Sequence, residues 1–355
     1  AFHADEVEHL DVKHIKQKLE PLVGQPRFRL RLLYEDKVLE GGAFVQLPAT
    51  LQLVIINSFP ASTPEEDHEL VRACAVEDLD AMEACLEQPH DPNCEDRFCT
   101  TPLRMAARSG SVQGVRMLLE ARAEINKAGR DGATPLFLAA GLGHLEVARL
   151  LLDSGADRDL SMMGGLTPLA TAARSGHADL VKLLLEEASG RVDVRTAEGA
   201  TPFFAACHGG HHEIAELLLK EGADKHVVTV DEATPLLAAA QEGHVEVVKL
   251  LLKDEPPDKD KATADGVTPL CAAAMNGHEA VVKLLLEEGA DMNTAPPGAG
   301  SPLYLAAQCG YFDVVKSLLE AGADKELATA FGLTPLAVAV ESGYQDIAQL
   351  LRGDG

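Results

Sequence analysis

Histidine and cysteine carry the widest chemistry available to this chain, and their spacing decides whether they can use it. Five of thirteen histidines, His144, His177, His211, His244 and His278, each follow a glycine and stand 33 or 34 residues apart. With one such residue per layer of stacked helices, they would lie about 10 Å apart, too far to share a metal ion. His208, His211 and His212 are the only local cluster, and no metal is expected there. The seven cysteines, Cys74, Cys85, Cys94, Cys99, Cys207, Cys271 and Cys309, form no Cys-x-x-Cys pair. Cys94 and Cys99 lack zinc partners at useful spacing. Cys207, Cys271 and Cys309 fall in or near helices where small apolar residues pack, so the set reads as reduced packing residues. No Ser-His-Asp or Cys-His constellation, P-loop or strand-following Gly-x-Gly-x-x-Gly is visible. Arg352-Gly353-Asp354 matches an adhesion tripeptide, read here as chance at a frayed terminus. The expectation is no catalytic residue, no cofactor and no metal.

A second spacing defines the elements that would position any site. Thr-Pro occurs at Thr101, Thr134, Thr167, Thr201, Thr234, Thr268 and Thr334, with Ser-Pro at Ser301, in steps of 33 or 34 residues. A period of that size is one supersecondary unit stacked many times. In the unit from Asp131 to Arg158, Thr134 is an N-cap and Pro135 takes the first helical position, where its missing N–H costs nothing. Leu136, Ala139 and Ala140 follow at helical spacing, and Gly143 ends the helix. Val147, Leu150 and Leu151 share one face of a second helix, which Gly155 stops. Helices this short are marginal alone, so their apolar faces must be buried against neighbouring units. Small pairs from Ala106-Ala107 to Ala306-Ala307 would let consecutive helix pairs approach closely.

The pattern of Thr-Pro-Leu, Ala-Ala, Gly-His, Val-Val-x-Leu-Leu-Leu and Gly-Ala-Asp resembles the ankyrin repeat. Gly243 to Leu252 is close to that family's consensus. Eight units carry the mark. Two helices at Glu69–Ala75 and Asp80–Leu86, read as lacking the Thr-Pro turn, would form a degenerate N-terminal cap. The resemblance implies that the Gly-His histidines are structural. It departs at the position after Thr-Pro-Leu, usually His and here Arg104, Phe137, Ala170, Phe204, Leu237, Cys271, Tyr304 and Ala337. A polar contact between hairpins would there be replaced mostly by apolar packing.

Upstream, Val12 to Leu22 reads as an amphipathic helix broken by Gly24-Gln25-Pro26. Arg29–Tyr34, Lys37–Leu39 and Thr50–Ile56 read as strands. Arg31 to Glu40 and Thr50 to Ile55 are similar to segments of ubiquitin, which implies a small α+β ubiquitin-like (β-grasp) domain. Leu33 and Val54 fall where ubiquitin displays its apolar patch, although ordinary strand roles are the simpler reading. Asn57 to Pro60 stands in place of the Gly-Gly tail, so conjugation is not expected. Ala1 to Leu10 leaves no room for the first strand, so the chain is expected to begin inside the domain. The expected fold is mainly α: residues 1–57 an incomplete ubiquitin-like domain, 58–66 a linker, and 67–355 an ankyrin solenoid. That solenoid has about nine helix pairs, a cap at about 67–93 and then eight repeats.

The net charge is −25, which sets the chain against nucleic acid. A solvated acidic face is the plain reading. Lys182, Lys249, Lys283 and Lys316, aligned on second helices, are expected to pair with nearby Glu. No span suits a membrane and no signal peptide is visible. A reducing intracellular compartment is expected, the cytoplasm by default, with an organelle left open because the chain starts at Ala1.

What remains informative is the set of positions that packing does not fix. In the ankyrin family, hairpin tips and first-helix ends line a concave face that binds protein partners. The residues singled out are Arg97, Phe98, Arg108, Met163, Arg174, Val230, Gln241, Met275, Gln308 and Phe331. Leu166, Val267 and Leu333, just before Thr-Pro, could pack on neighbouring hairpins or face solvent. The leading expectation is a non-catalytic scaffold or adapter gripping a protein in that groove, while the N-terminal domain docks elsewhere or braces the first repeats. The alternatives are an adapter in ubiquitin-dependent turnover and a structural subunit of a large complex, a membrane-protein complex included.

Overall fold

The structure is a computed structural model that describes residues 11–25, 27–34, 37–39, 52–55, 63–88, 90–186, 191–253 and 258–353. The chain divides into two compact units, Ala1–Met163 and Gly164–Gly355. Pro26, the 35–36 turn, the ends of the last predicted strand, residues 1–10 and most of the predicted linker lie outside the described residues.

The first unit opens with α1 (Val12–Val23), capped by the Asp11 carboxylate and ended by Gly24 in the left-handed region. Three strands follow: β1 (Leu30–Tyr34), β2 (Lys37–Val38) and β3 (Gln52–Ile55). They form an antiparallel sheet in the order β2-β1-β3, with Leu33 opposite Val38 and Leu32 opposite Leu53. Val12 and Ile15 of α1 pack on Leu32, with Leu19 and Leu39 at the margin. Helix pairs then begin: α2 (Pro64–Val76) with α3 (Leu79–Glu87), α4 (Pro102–Ser109) with α5 (Val112–Glu120), and α6 (Pro135–Leu142) with α7 (Leu145–Asp153).

Helix α2 corrects the reading of its pair as lacking the Thr-Pro turn. Thr63 is its N-cap, Pro64 its first residue, and Thr63 and Glu66 close a reciprocal capping box. The helix therefore starts five residues before Glu69, inside the predicted linker. Its mark stands 38 residues before Thr101, out of step with the others.

The α1–β3 module is held on the second helices of the first pairs by charge. Arg27 is buried, and its guanidinium donates to Glu83 (2.7 Å) and Glu120 (3.2 Å). Lys13 reaches the other oxygen of Glu83 at 2.7 Å, and Arg122 donates to the Gly24 carbonyl at 2.8 Å. Burial alone would raise the Glu83 pKa, but hydrogen bonds from Lys13 and Arg27 hold the carboxyl below its usual value. The module thus braces the first repeats.

The second unit stacks six pairs: α8 (Pro168–Ser175) and α9 (Ala178–Leu185), α10 (Pro202–His208) and α11 (His212–Lys220), α12 (Pro235–Gln241) and α13 (Val245–Leu252), α14 (Pro269–Met275) and α15 (Glu279–Glu287), α16 (Pro302–Cys309) and α17 (Phe312–Glu320), α18 (Pro335–Glu341) and α19 (Gln345–Arg352). Within each unit, first helices pack on first helices and second helices on second. In every marked repeat the Thr or Ser hydroxyl accepts the backbone N–H three residues on, as Thr201 does from Phe204. A cap of this kind contributes about 1 kcal/mol. The small pairs are buried throughout, and each buried Leu or Val adds about 1.5–3 kcal/mol.

All seven cysteines are free. Cys74, Cys94, Cys207 and Cys271 are buried, whereas Cys309 is exposed, which corrects its assignment to packing. It ends α16 and turns outward. The four lysines pair along their own helices, as with Lys249 and Glu246 at 2.8 Å. Exposed pairs of this kind stabilise a helix only slightly.

Candidate functional site

Each hairpin tip is a tight turn whose edges are tied down, so its central side chains have nowhere to go but outward. At the first tip, Cys99 N–H donates to the Asp96 carbonyl at 2.9 Å. The Asp96 carboxylate accepts from the N–H groups of Phe98 and Thr100, both at 2.9 Å. Arg97 and Phe98 occupy the centre, with the guanidinium 4.8 Å from the ring centroid. The same closure joins Glu232 N–H to the Thr229 carbonyl around Val230, and Gly332 N–H to the Thr329 carbonyl around Phe331. Neighbouring tips are stitched by backbone bonds: Met163 N–H to the Asp131 carbonyl in the first unit, and Val230 N–H to the Glu198 carbonyl in the second.

The result is four large apolar side chains left in solvent: Phe98 (64% exposed), Met163 (71%), Val230 (72%) and Phe331 (82%). Leu166, Val267 and Leu333, one step before the cap, are only half-exposed and pack partly against their surroundings.

First-helix ends are built differently. The Nε2–H of His144 donates to the Arg108 carbonyl at 3.0 Å, that of His211 to the Arg174 carbonyl at 2.9 Å, and that of His278 to the Gln241 carbonyl at 2.8 Å. Each ring ties one repeat to the preceding one, the structural role that the resemblance implied. With their carbonyls engaged, Arg108, Arg174 and Gln241 leave their side chains exposed, as are those of Arg97, Met275 and Gln308. Beside Met275, Val267, Cys271, Pro296, Pro297 and Leu305 line a cleft of about 450 Å³ in the second unit. All ten singled-out residues are therefore at the surface, four in the first unit and six in the second.

The position after Thr-Pro-Leu mostly packs, as expected. Phe137, Ala170, Leu237 and Tyr304 are buried. Two members keep a polar tie. The Arg104 guanidinium donates to Asp131 at 3.0 Å, and Cys271 Sγ–H donates to the Thr294 carbonyl at 3.4 Å.

One ladder went unnoticed in the sequence. The side-chain oxygens of Asn93, Asn126, Asp260 and Asn293 accept the backbone N–H of Glu124, Asp157, Asp291 and Asp324, each 31 residues on. The period of Thr-Pro could have exposed it, but either Asn or Asp fills the position and their partners are backbone groups.

Burial opposes nucleophilic chemistry at the inner cysteines. It pushes the Cys74 thiol up to about 12 and raises those of Cys207 and Cys271. A thiol that stays protonated is a weak nucleophile.

The family model for ankyrin repeats (3 copies) matches residues 70–162, 157–229, 217–296 and 295–355. The chain belongs to the ankyrin repeat family. Among curated proteins none matches. Ankyrin repeats generally mediate protein–protein interaction, and no catalytic family is indicated. No helix among the described residues is long and apolar enough to cross a membrane.

Proposed function

We propose that this chain is a non-catalytic scaffold or adapter that binds a protein partner through its hairpin tips and first-helix ends. One observation carries the reading: Phe98, Met163, Val230 and Phe331 are exposed at turns where any polar residue would serve the fold. Large apolar groups held outward by a rigid backbone are what a binding surface needs, since little ordering is required on association. Arg97 beside Phe98 and the exposed Arg108 and Arg174 add donors, and Met275 borders an apolar cleft that would take a partner's side chain.

The test is affinity purification with the full chain from its source lysate, comparing wild type with the Phe98→Ser/Met163→Ser/Phe331→Ser variant. The variant should keep its circular dichroism and lose the proteins that wild type retains. Equal capture by both would reject the assignment.

A second reading is favoured by the N-terminal sheet. Leu53 and Val54 of β3 and Val38 of β2 are exposed, while Leu33 is half-buried. If the α1–β3 module is ubiquitin-like, this face would bind a receptor of ubiquitin-dependent turnover. Val54→Ala should then weaken binding to such a receptor, and unchanged binding would remove that reading.

A further inference from the structure

A cluster in the first helix pair joins α2 to the chain that follows α3. Asp67 lies in the first turn of α2, His90 follows α3, and Cys94 sits in a turn closed by its own N–H on the Asp91 carbonyl at 3.1 Å. Sequence spacing left Cys94 without metal partners, but the fold brings them to it. One ligand atom from each of Asp67, His90 and Cys94 lies within 4.8 Å of the others.

We propose that Asp67, His90 and Cys94 form a binding site for a borderline-soft divalent cation of the zinc type. His90 is 8% exposed, and its Nε2 has no hydrogen-bond partner. That nitrogen is 3.4 Å from Asp67 Oδ1, within ion-pair reach but not aligned as a hydrogen bond. A buried ring nitrogen without a hydrogen bond is costly, and a metal would satisfy it. Ligand atoms around a tetrahedral zinc lie about 3.3–3.6 Å apart, so the His–Asp edge at 3.4 Å already fits, and the Cys94 sulfur lies within 4.8 Å of both. Imidazole plus thiolate selects zinc-like ions over magnesium or calcium. Asp67 and its neighbours Pro64, Glu65, His68, Asp96 and Arg97 line a cleft of about 430 Å³, through which water could supply a fourth ligand.

Burial, and then the charge of Asp67, keep the Cys94 thiol protonated when no cation is present. Binding therefore forms the metal–sulfur bond, breaks S–H and releases one proton to solvent. Carboxylate and thiolate together neutralise the dication, so the site can remain buried without net charge.

The test is a Co²⁺ titration of the reduced, tag-free full chain followed by absorption. Wild type should show tetrahedral ligand-field bands and a thiolate-to-cobalt charge-transfer band, saturating at one equivalent and erased by Zn²⁺. Cys94→Ser should abolish the charge-transfer band, His90→Gln should abolish saturation at one equivalent, and Cys99→Ser/Cys309→Ser should retain the full spectrum. No charge-transfer band in wild type would overturn the proposal, because a plain His90–Asp67 ion pair produces none. Survival of that band in Cys94→Ser would overturn it equally. The wild-type spectrum decides the matter even where a variant folds poorly.

Discussion

His244 and Gly210 show how single residues divide the work of stacking. The ring of His244 reaches back to the His208 carbonyl at 2.9 Å, and it passes over Gly210 to do so. A Cβ at Gly210 would lie 2.5 Å from His244 Nδ1, and the backbone there has φ +75°. Glycine is thus required for both room and conformation. His244→Ala should cost about 1 kcal/mol in urea unfolding, and Gly210→Ala about 2–3 kcal/mol, because strain adds to the displaced ring. The double variant should cost less than the sum, since one substitution already removes what the other disturbs. Strict additivity would show that ring and glycine are not coupled. The Thr caps and the helix-ending role of the Gly-His glycines were legible because both are local and repeat in register. The Asn/Asp ladder and the Arg104–Asp131 tie were not, because their partners come from the next repeat.

At the scale of elements, the docking of the α1–β3 module depends on Glu83 of α3. Its pKa is lower in the folded chain than in the unfolded one, so its contribution is fully present above its unfolded value of about 4.3. The contribution is lost as pH falls through the lower folded value. Hydrogen exchange in α1 should accelerate over that acid range in the wild-type protein. Glu83→Gln should weaken docking by about 1–3 kcal/mol at neutral pH and flatten the acid response. An α1 exchange rate indifferent to this substitution would contradict the brace. Helices and strands of the module were readable from period and breakers. Its docking was not, because Arg27, Lys13, Glu83 and Glu120 are ordinary surface residues until the fold places them together. The start of α2 was not legible for another reason: Thr63 stands outside the period that identified the other Thr-Pro and Ser-Pro caps.

At the scale of the whole molecule, the repeats supply most of the buried apolar side chains among the described residues, and most charged residues lie outside that core. The ten exposed positions were legible because repeats separate structural positions from free ones. The division of the chain after Met163 was not, since the marks continue across it unbroken. Hydrogen–deuterium exchange of the full chain, alone and with a captured partner, tests the binding claim most directly. Protection should appear at the turns around Phe98, Met163, Val230 and Phe331 and at the ends of α4, α8, α12, α14 and α16. Protection confined to the second helices, with those turns unchanged, would contradict it.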